Sequence, residues 1–309
     1  MKTAYLFPGL NGLLRQKDRE RYLELPHVQA RLKMAQTALL RDLGLNVDLL
    51  SMITQNTEEI YRINNISLAA VLISSIQVGV VDHLRELFPN PDYMVGVSLG
   101  DIARTVCAGA YDFETAVVSH VKFTHKIDGI DKLGGNIGVA TTLQKPFSDE
   151  DFEWFEDNGV DVSVLTSRFL NVGALFSALD KVRVRSKEKG WRVMPILDYP
   201  AHSRYIKPYV DASENEFLQV KTVVPLVPIF STLSCRTLEL PSEIKKEFLE
   251  TITKTIHFEK AITRLNKEHG VTRFINIGPC KSLYTLLRDI PLEFQIEDAE
   301  DLLKRSSTR

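Results

Sequence analysis

Cysteine is scarce, with three in 309 residues. Cys107, Cys235 and Cys280 are odd in number and far apart. None has a second cysteine or a histidine at metal-ligand spacing, which argues against a disulfide framework and a thiolate metal site and suits a reducing, cytoplasmic setting. An excess of one charge is also missing: 38 Lys and Arg face 40 Asp and Glu, for a formal net charge of −2. Basic residues are scattered except between Lys181 and Arg192, so there is no surface that would track phosphates, and nucleic acid is not an expected partner. Internal repeats and low-complexity linkers are absent, and only the tail after about Glu300 reads as loose. The first apolar run stops at Pro8-Gly9, too short for a signal sequence or a membrane span.

What is present is the composition of a globular protein, 44% apolar and 25% charged. The length allows one large domain with an insertion, or two domains, and a sizeable core. Ala4 to Phe7 reads as a buried strand. Helical spacing runs from His27 to Leu43 and from Ile66 to Phe88, the second so apolar that it reads as a buried helix. Tyr93 to Val97 is strand-like and leads through Ser98-Leu99-Gly100 into a helical stretch to Ala108. From about Gly129 a glycine-rich opening, a strand, an acidic helix from Ser148 to Asn158, a strand from Val160 to Leu165, a helix from Ser177 to Lys189 and a strand from Arg192 to Leu197 suggest a β-α-β-β-α-β unit. Beyond it, Val223 to Ser231 reads as a strand, Ser242 to Leu265 as mainly helix, and Phe274 to Ile277 as a strand. The expected class is α/β. An α/β-hydrolase-like large domain would span 1–128 and 198–309, with a ferredoxin-like subdomain inserted over 129–197.

Gly96-Val97-Ser98-Leu99-Gly100 fits G-x-S-x-G, set between a strand and a helix as a nucleophile elbow requires. Small residues at both ends allow the sharp turn that projects the Ser98 hydroxyl. The Leu99 N–H then lies at a helix start, where it can stabilise a developing oxyanion. A serine needs a base, normally histidine. Of seven histidines, His120, His125, His257 and His269 lie on or near helices, where surface or structural roles are commoner. His202 lies in the loop-like Tyr199-Pro200-Ala201-His202-Ser203, just after the insertion.

Phe7-Pro8-Gly9, the Ser98 elbow, Cys107-Ala108-Gly109 with Asp112-Phe113, Tyr199-Pro200-Ala201-His202 with Lys207-Pro208, and Asn276-Ile277-Gly278-Pro279 follow one another in a fixed order. Together they resemble the malonyl-CoA:acyl-carrier-protein transacylases and the acyltransferase domains of polyketide synthases, over nearly the whole chain. The resemblance implies a stand-alone, trans-acting enzyme with a Ser98–His202 dyad. The histidine would be oriented by a backbone carbonyl in the Asn276 to Gly278 region, and a second oxyanion donor would come from the Leu10 N–H. No bound cofactor or metal is implied; coenzyme A or phosphopantetheine thioesters are the substrates.

The chain also departs from the family pattern. Leu10-Asn11-Gly12-Leu13 stands where the family has a Gln-Gly-Ser-Gln run, Val97 replaces the histidine before the nucleophile, and Asn65 takes the place of a pocket glutamine. The arginine that grips malonate's free carboxylate in the family is Phe123 here by ungapped counting from Ser98. A buried carboxylate without a charged partner costs several kcal/mol. Phe123 therefore points to an uncharged acyl group, unless Phe123 is simply core packing or Lys122, Lys126 or Arg204 supplies the charge. A lysine would lack the two-pronged fit. The readings that follow are a serine acyltransferase serving an acyl carrier protein in polyketide or fatty-acid-type biosynthesis, a hydrolase that clears carrier proteins by the same chemistry, and a non-catalytic carrier-binding protein. A monomer is expected; the basic residues Arg183, Arg185, Lys187 and Lys189 read first as a solvated helix face, with a surface for an acidic carrier as the alternative.

Overall fold

The computed structural model describes residues 1–10, 19–61, 65–124, 133–141, 145–211 and 219–306. Ten strands are described: β1 (Lys2–Phe7), β2 (Tyr93–Gly96), β3 (Gly134–Thr141), β4 (Asp161–Thr166), β5 (Phe169–Leu175), β6 (Trp191–Leu197), β7 (Ile229–Phe230), β8 (Thr237–Leu238), β9 (Val271–Asn276) and β10 (Gln295–Asp298). They form a six-stranded sheet ordered β10-β9-β1-β2-β7-β8 and a four-stranded sheet ordered β4-β5-β3-β6.

The larger sheet is parallel except for its antiparallel β7–β8 edge. At its centre Tyr5 pairs with Met94 on one side and Ile275 on the other. Covered on both faces, β1 is apolar without alternation from Ala4 to Phe7. The smaller sheet is antiparallel throughout, with the β-α-β-β-α-β order and the strand arrangement of a ferredoxin-like unit. Its acidic helix, Asp149–Asp157, opens on a capping box between Ser148 and Asp151. The expected boundary at 128/129 lies outside the described residues.

Helix Ile66–Leu87 has the length and mean hydropathy, 1.6, of a membrane span, but 78% of that apolar window is buried inside the protein. It packs against helix Pro26–Leu43, with Gly79 at the closest approach. A β-carbon there would come within 2.6 Å of the Val28 α-carbon. The helix also carries the fully buried Gln77, whose side-chain amide donates to the carbonyls of Pro8 at 2.8 Å and Gly278 at 3.2 Å. One side chain thus joins the loops after β1 and β9.

Two expectations need correction. The stretch expected as a strand from Val223 to Ser231 is extended only at Ile229–Phe230. Pro225 and Pro228 have no N–H to give a ladder, and Leu226 is 87% exposed. The helix expected from Ser242 to Leu265 is two, Pro241–Thr253 and Phe258–Lys267. Between them the chain pairs with the smaller sheet: Val164 donates to the Ile256 carbonyl at 2.8 Å, and Ile256 N–H to Ser163 Oγ at 3.0 Å.

A buried ionic cluster ties the helix after the elbow, Gly100–Cys107, to helix Pro241–Thr253. Arg104, with no exposed surface, places one Nη 3.1 Å from Asp101 and 3.0 Å from Glu247. Burial pushes the Asp101 carboxyl up to about 6 against the pull of Arg104. Removing the one cation leaves two carboxylates uncompensated in the interior, so Arg104→Met is expected to cost about 3–5 kcal/mol. The check is the midpoint of chemical denaturation at unchanged slope; a loss under about 1 kcal/mol would show the cluster to be dispensable.

Candidate active site

The end of β2 dictates where Ser98 goes. Strand, turn and helix follow within a few residues, and Ser98 takes a left-handed backbone with φ 59°. A β-carbon at Gly96 would overlap the Asp101 carboxylate, and one at Gly100 would overlap the Phe7 carbonyl oxygen. Those contacts explain why the turn is flanked by glycines. A left-handed non-glycine residue costs of order 1–3 kcal/mol and persists only where its surroundings enforce it. Ser98 is half-buried.

His202 comes from the loop after β6, and it too is left-handed, with φ 57°. Its Nε2 lies 2.8 Å from Ser98 Oγ. Its Nδ1 lies 2.5 Å from the Thr251 carbonyl oxygen, which can only accept, so Nδ1 carries the proton and Nε2 offers its lone pair to the serine hydroxyl. The His202 N–H also donates to the Ile252 carbonyl at 2.8 Å. Burial pushes the imidazole down to about 4, opposed by hydrogen bonds to the Thr251 and Lys254 backbone. At neutral pH the ring is therefore an uncharged acceptor.

The smaller sheet holds this loop. Asn136 on β3 donates to the Ala201 carbonyl at 2.9 Å, and Gly173 on β5 lies so close that a β-carbon would come 2.5 Å from the same oxygen. Arg204 makes a fork on Asp161 of β4, with Nε 2.9 Å from Oδ1, while its own N–H donates to Oδ2 at 2.6 Å. Arg204 thereby fastens the histidine loop to β4, with its charge matched by Asp161.

The histidine-orienting residues also need correction. Asn276 Nδ2 donates to the Cys280 carbonyl at 2.7 Å and to Asp298 at 2.8 Å, and the Gly278 carbonyl accepts from Gln77. The carbonyl on His202 belongs to Thr251. The reading of Ser242 to Leu265 as mainly helix concealed it, because the helix ends at Thr253 and its last-turn carbonyls, Thr251 and Ile252, face His202. Gln77 was also missed; its signal was a lone amide inside the most apolar helix of the sequence.

The remaining candidates fall around the elbow. The Phe7 carbonyl accepts from the Val97 N–H at 3.0 Å. A β-carbon on Gly9 would come 3.2 Å from Ser98 Cβ and 3.7 Å from the Leu99 nitrogen, so the loop that carries Leu10 lies against the nucleophile. The Leu10 carbonyl accepts from the Tyr61 hydroxyl. Asn65 donates to the Glu59 carbonyl at 2.8 Å at the start of helix Ile66–Leu87. Val97 is buried in an apolar cluster with Val95, Phe230 and Phe258. Phe123 is buried in another, with Ile102, Ile206 and Phe248, against which Leu99 and Tyr199 pack. Lys122 is exposed. Asn11 to Leu13, His125 and Lys126 lie outside the described residues. His120 is buried with no hydrogen-bond partner on either ring nitrogen, and His269 meets the Tyr93 hydroxyl; neither is near a nucleophile role. All three cysteines are free thiols.

Known proteins share this arrangement. The chain is 26% identical over 297 residues to the malonyl CoA-acyl carrier protein transacylase of Bacillus subtilis, covering 94% of this chain and 90% of that one. It is 25% identical over 248 residues to the polyketide biosynthesis acyltransferase homolog PksD of the same organism, covering 77% and 74%. Among solved structures, the malonyl CoA-acyl carrier protein transacylase from Coxiella burnetii superposes with a TM-score of 0.85 at 21% identity, covering 99% of this chain and 96% of that one. The acyltransferase domain from the second module of the salinomycin polyketide synthase gives 0.80 at 21% identity, covering 96% and 68%. The acyl transferase domain model matches residues 21–298, a span that takes in both members of the serine–histidine pair and the whole of the smaller sheet. The chain therefore belongs to the acyl transferase domain family.

Proposed function

We propose that this chain is a serine acyltransferase that takes an uncharged acyl group from a coenzyme A or carrier-protein thioester onto Ser98 and passes it to the phosphopantetheine thiol of an acyl carrier protein. The observation that carries the reading is the 2.8 Å contact between Ser98 Oγ and a His202 Nε2 whose tautomer is fixed by the Thr251 carbonyl.

In the first half, Ser98 Oγ attacks the thioester carbonyl while its proton passes to His202 Nε2. The C–S bond breaks, and the departing thiol takes that proton. In the second half, the carrier thiol gives its proton to Nε2 and attacks the Ser98 ester, and the proton returns to Ser98 Oγ. The N–H groups of Leu99 and Leu10 are the donors assigned to the oxyanion in both halves. Hydrolysis differs only in that water takes the place of the carrier thiol. The enzyme works as a cytoplasmic monomer, and neither metal nor bound cofactor has a step to perform.

The uncharged acyl group rests on Phe123. Its apolar cluster reaches Leu99, next to the nucleophile, while Arg204 is matched by Asp161. A carboxylate placed there would lose its hydration among apolar side chains, with no cation in that cluster among the described residues.

Intact-mass measurement after mixing with acyl-CoA is expected to show one acyl adduct, absent in Ser98→Ala, with turnover lowered on the order of 10⁴-fold or more. No adduct and no turnover above the uncatalysed rate in the wild type would leave a non-catalytic carrier-binding role as the reading. Acyl-Ser98 decay should accelerate when carrier thiol is added; decay indifferent to the thiol would make the protein a hydrolase.

In the same assay, acetyl- and longer acyl-CoA should load in preference to malonyl-CoA by roughly 100-fold, the equivalent of about 3 kcal/mol for an unpaired buried carboxylate. Phe123→Arg should narrow that gap. Preferential malonyl loading by the wild type would overturn the role given to Phe123.

The loading rate should also be nearly flat between pH 8 and pH 5. A base must be unprotonated to accept from Ser98, and a group pushed down to about 4 loses that state only as the pH falls through about 4. A break near 6.5, the ordinary imidazole value, would show that His202 is more solvated than its burial implies.

A further inference from the structure

We infer that His27, His83 and Glu86 form a binding site for a divalent first-row transition metal, of which Zn²⁺ is the test ion, on the face where helices Pro26–Leu43 and Ile66–Leu87 meet.

The backbone sets the site up. Gly79 allows its helix to come against Val28. His83 is one turn beyond Gly79 and His27 is the neighbour of Val28, so the close approach that the glycine permits also brings the two imidazoles together. Glu86 lies one further turn along the same face as His83. One donor atom from each of the three residues lies within 4.8 Å of the other two.

The two imidazoles, in hydrogen-bond contact in the metal-free chain, have the nitrogen spacing of two ligands on one tetrahedral ion. The two Nδ1 atoms are 3.2 Å apart. Two nitrogens at about 2.0–2.1 Å from a tetrahedral zinc are separated by roughly 3.3 Å. His27 Nε2 lies 2.9 Å from Glu86 Oε1. A carboxylate accepts there, so His27 carries its proton on Nε2 and turns the Nδ1 lone pair toward His83. This is the carboxylate-to-histidine orientation that tunes metal-bound imidazoles. His83 needs only its Nδ1 lone pair, with its own proton on Nε2, to complete the nitrogen pair. Glu86 brings the negative charge, and its exposed carboxylate leaves room for water at the remaining positions.

Arg31, one turn beyond His27, is engaged by Asp82 at 2.6 Å, and the same carboxylate faces Arg85 at 3.9 Å, so Glu86 supplies the second negative charge that brings the four side chains to zero. Imidazole and carboxylate donors suit zinc, nickel and copper, whereas magnesium prefers oxygen ligands, which sets the control ion. The site shares no residue with the Ser98–His202 pair, so it stands whether or not the acyl-transfer reading does. It would act as a clamp between two helices, one of which carries Gln77.

The test is calorimetric titration of the full chain with Zn²⁺ and with Mg²⁺, together with thermal unfolding in each ion. One saturable zinc site is expected, with a rise in unfolding temperature for Zn²⁺ only. His27→Ala and His83→Ala should each abolish both effects, and Glu86→Gln should weaken binding about 10–100-fold. Ser98 loading by acyl-CoA in metal-free buffer should be unchanged in all three variants, showing that they fold. Absence of a saturable zinc site in the wild type, zinc binding undiminished in both histidine variants, or an equal temperature shift with Mg²⁺ would each overturn the assignment.

Discussion

The hydrogen-bond chain from Ser98 through His202 to the Thr251 carbonyl is the constraint around which the molecule is organised. Each link comes from a different part of the chain: an elbow after β2, a loop after β6 and the end of helix Pro241–Thr253. Two of the three positions, Ser98 and His202, hold a left-handed backbone that side chains other than glycine seldom adopt. Such conformations survive because the neighbours leave no alternative. The flanking glycines admit Asp101 and the Phe7 carbonyl against the elbow, and Asn136 and Gly173 grip the loop before the histidine.

The third link is stiffened from below. Arg104 leaves the elbow helix and meets Glu247, one turn before Thr251 on the partner helix. The nucleophile's helix and the orienting carbonyl's helix are therefore joined through the interior as well as across the site. Gln77 performs a comparable task with one amide, holding the loop after β1 to the turn after β9. Neither connection touches the reacting atoms. Both set the distances at which those atoms meet, and distance governs how readily a proton passes from hydroxyl to imidazole.

Much of the architecture was legible in the sequence because local pattern and tertiary role agree. The apolar run at Ala4–Phe7, the glycine-bounded serine between strand and helix, and the acidic helix opened by Ser148 each carry their structure in their own residues. Pairing Ser98 with His202 was legible only through the family resemblance that several ordered motifs carry. The failures share one cause. Val223–Pro228 has strand-forming residues interrupted by prolines, and Ser242–Leu265 has helical spacing interrupted by contacts with β4 that no local pattern announces. The carbonyl on His202 was misplaced because main-chain acceptors leave no trace in residue type. The pairing of Arg204 with Asp161 was equally invisible, because a charge near a site looks free until the fold brings its partner beside it.

The attachment of the His202 loop to the smaller sheet has a mechanical consequence. The nucleophile rides on one sheet, whereas the proton acceptor is tethered to the other by Asn136, the Gly173 contact and the Asp161 fork. Because the Thr251 and Ile252 carbonyls hold the same histidine from the nucleophile's side, the loop is a strap fastened to both sheets, and the gap between oxygen and nitrogen is fixed by how tightly that strap is drawn.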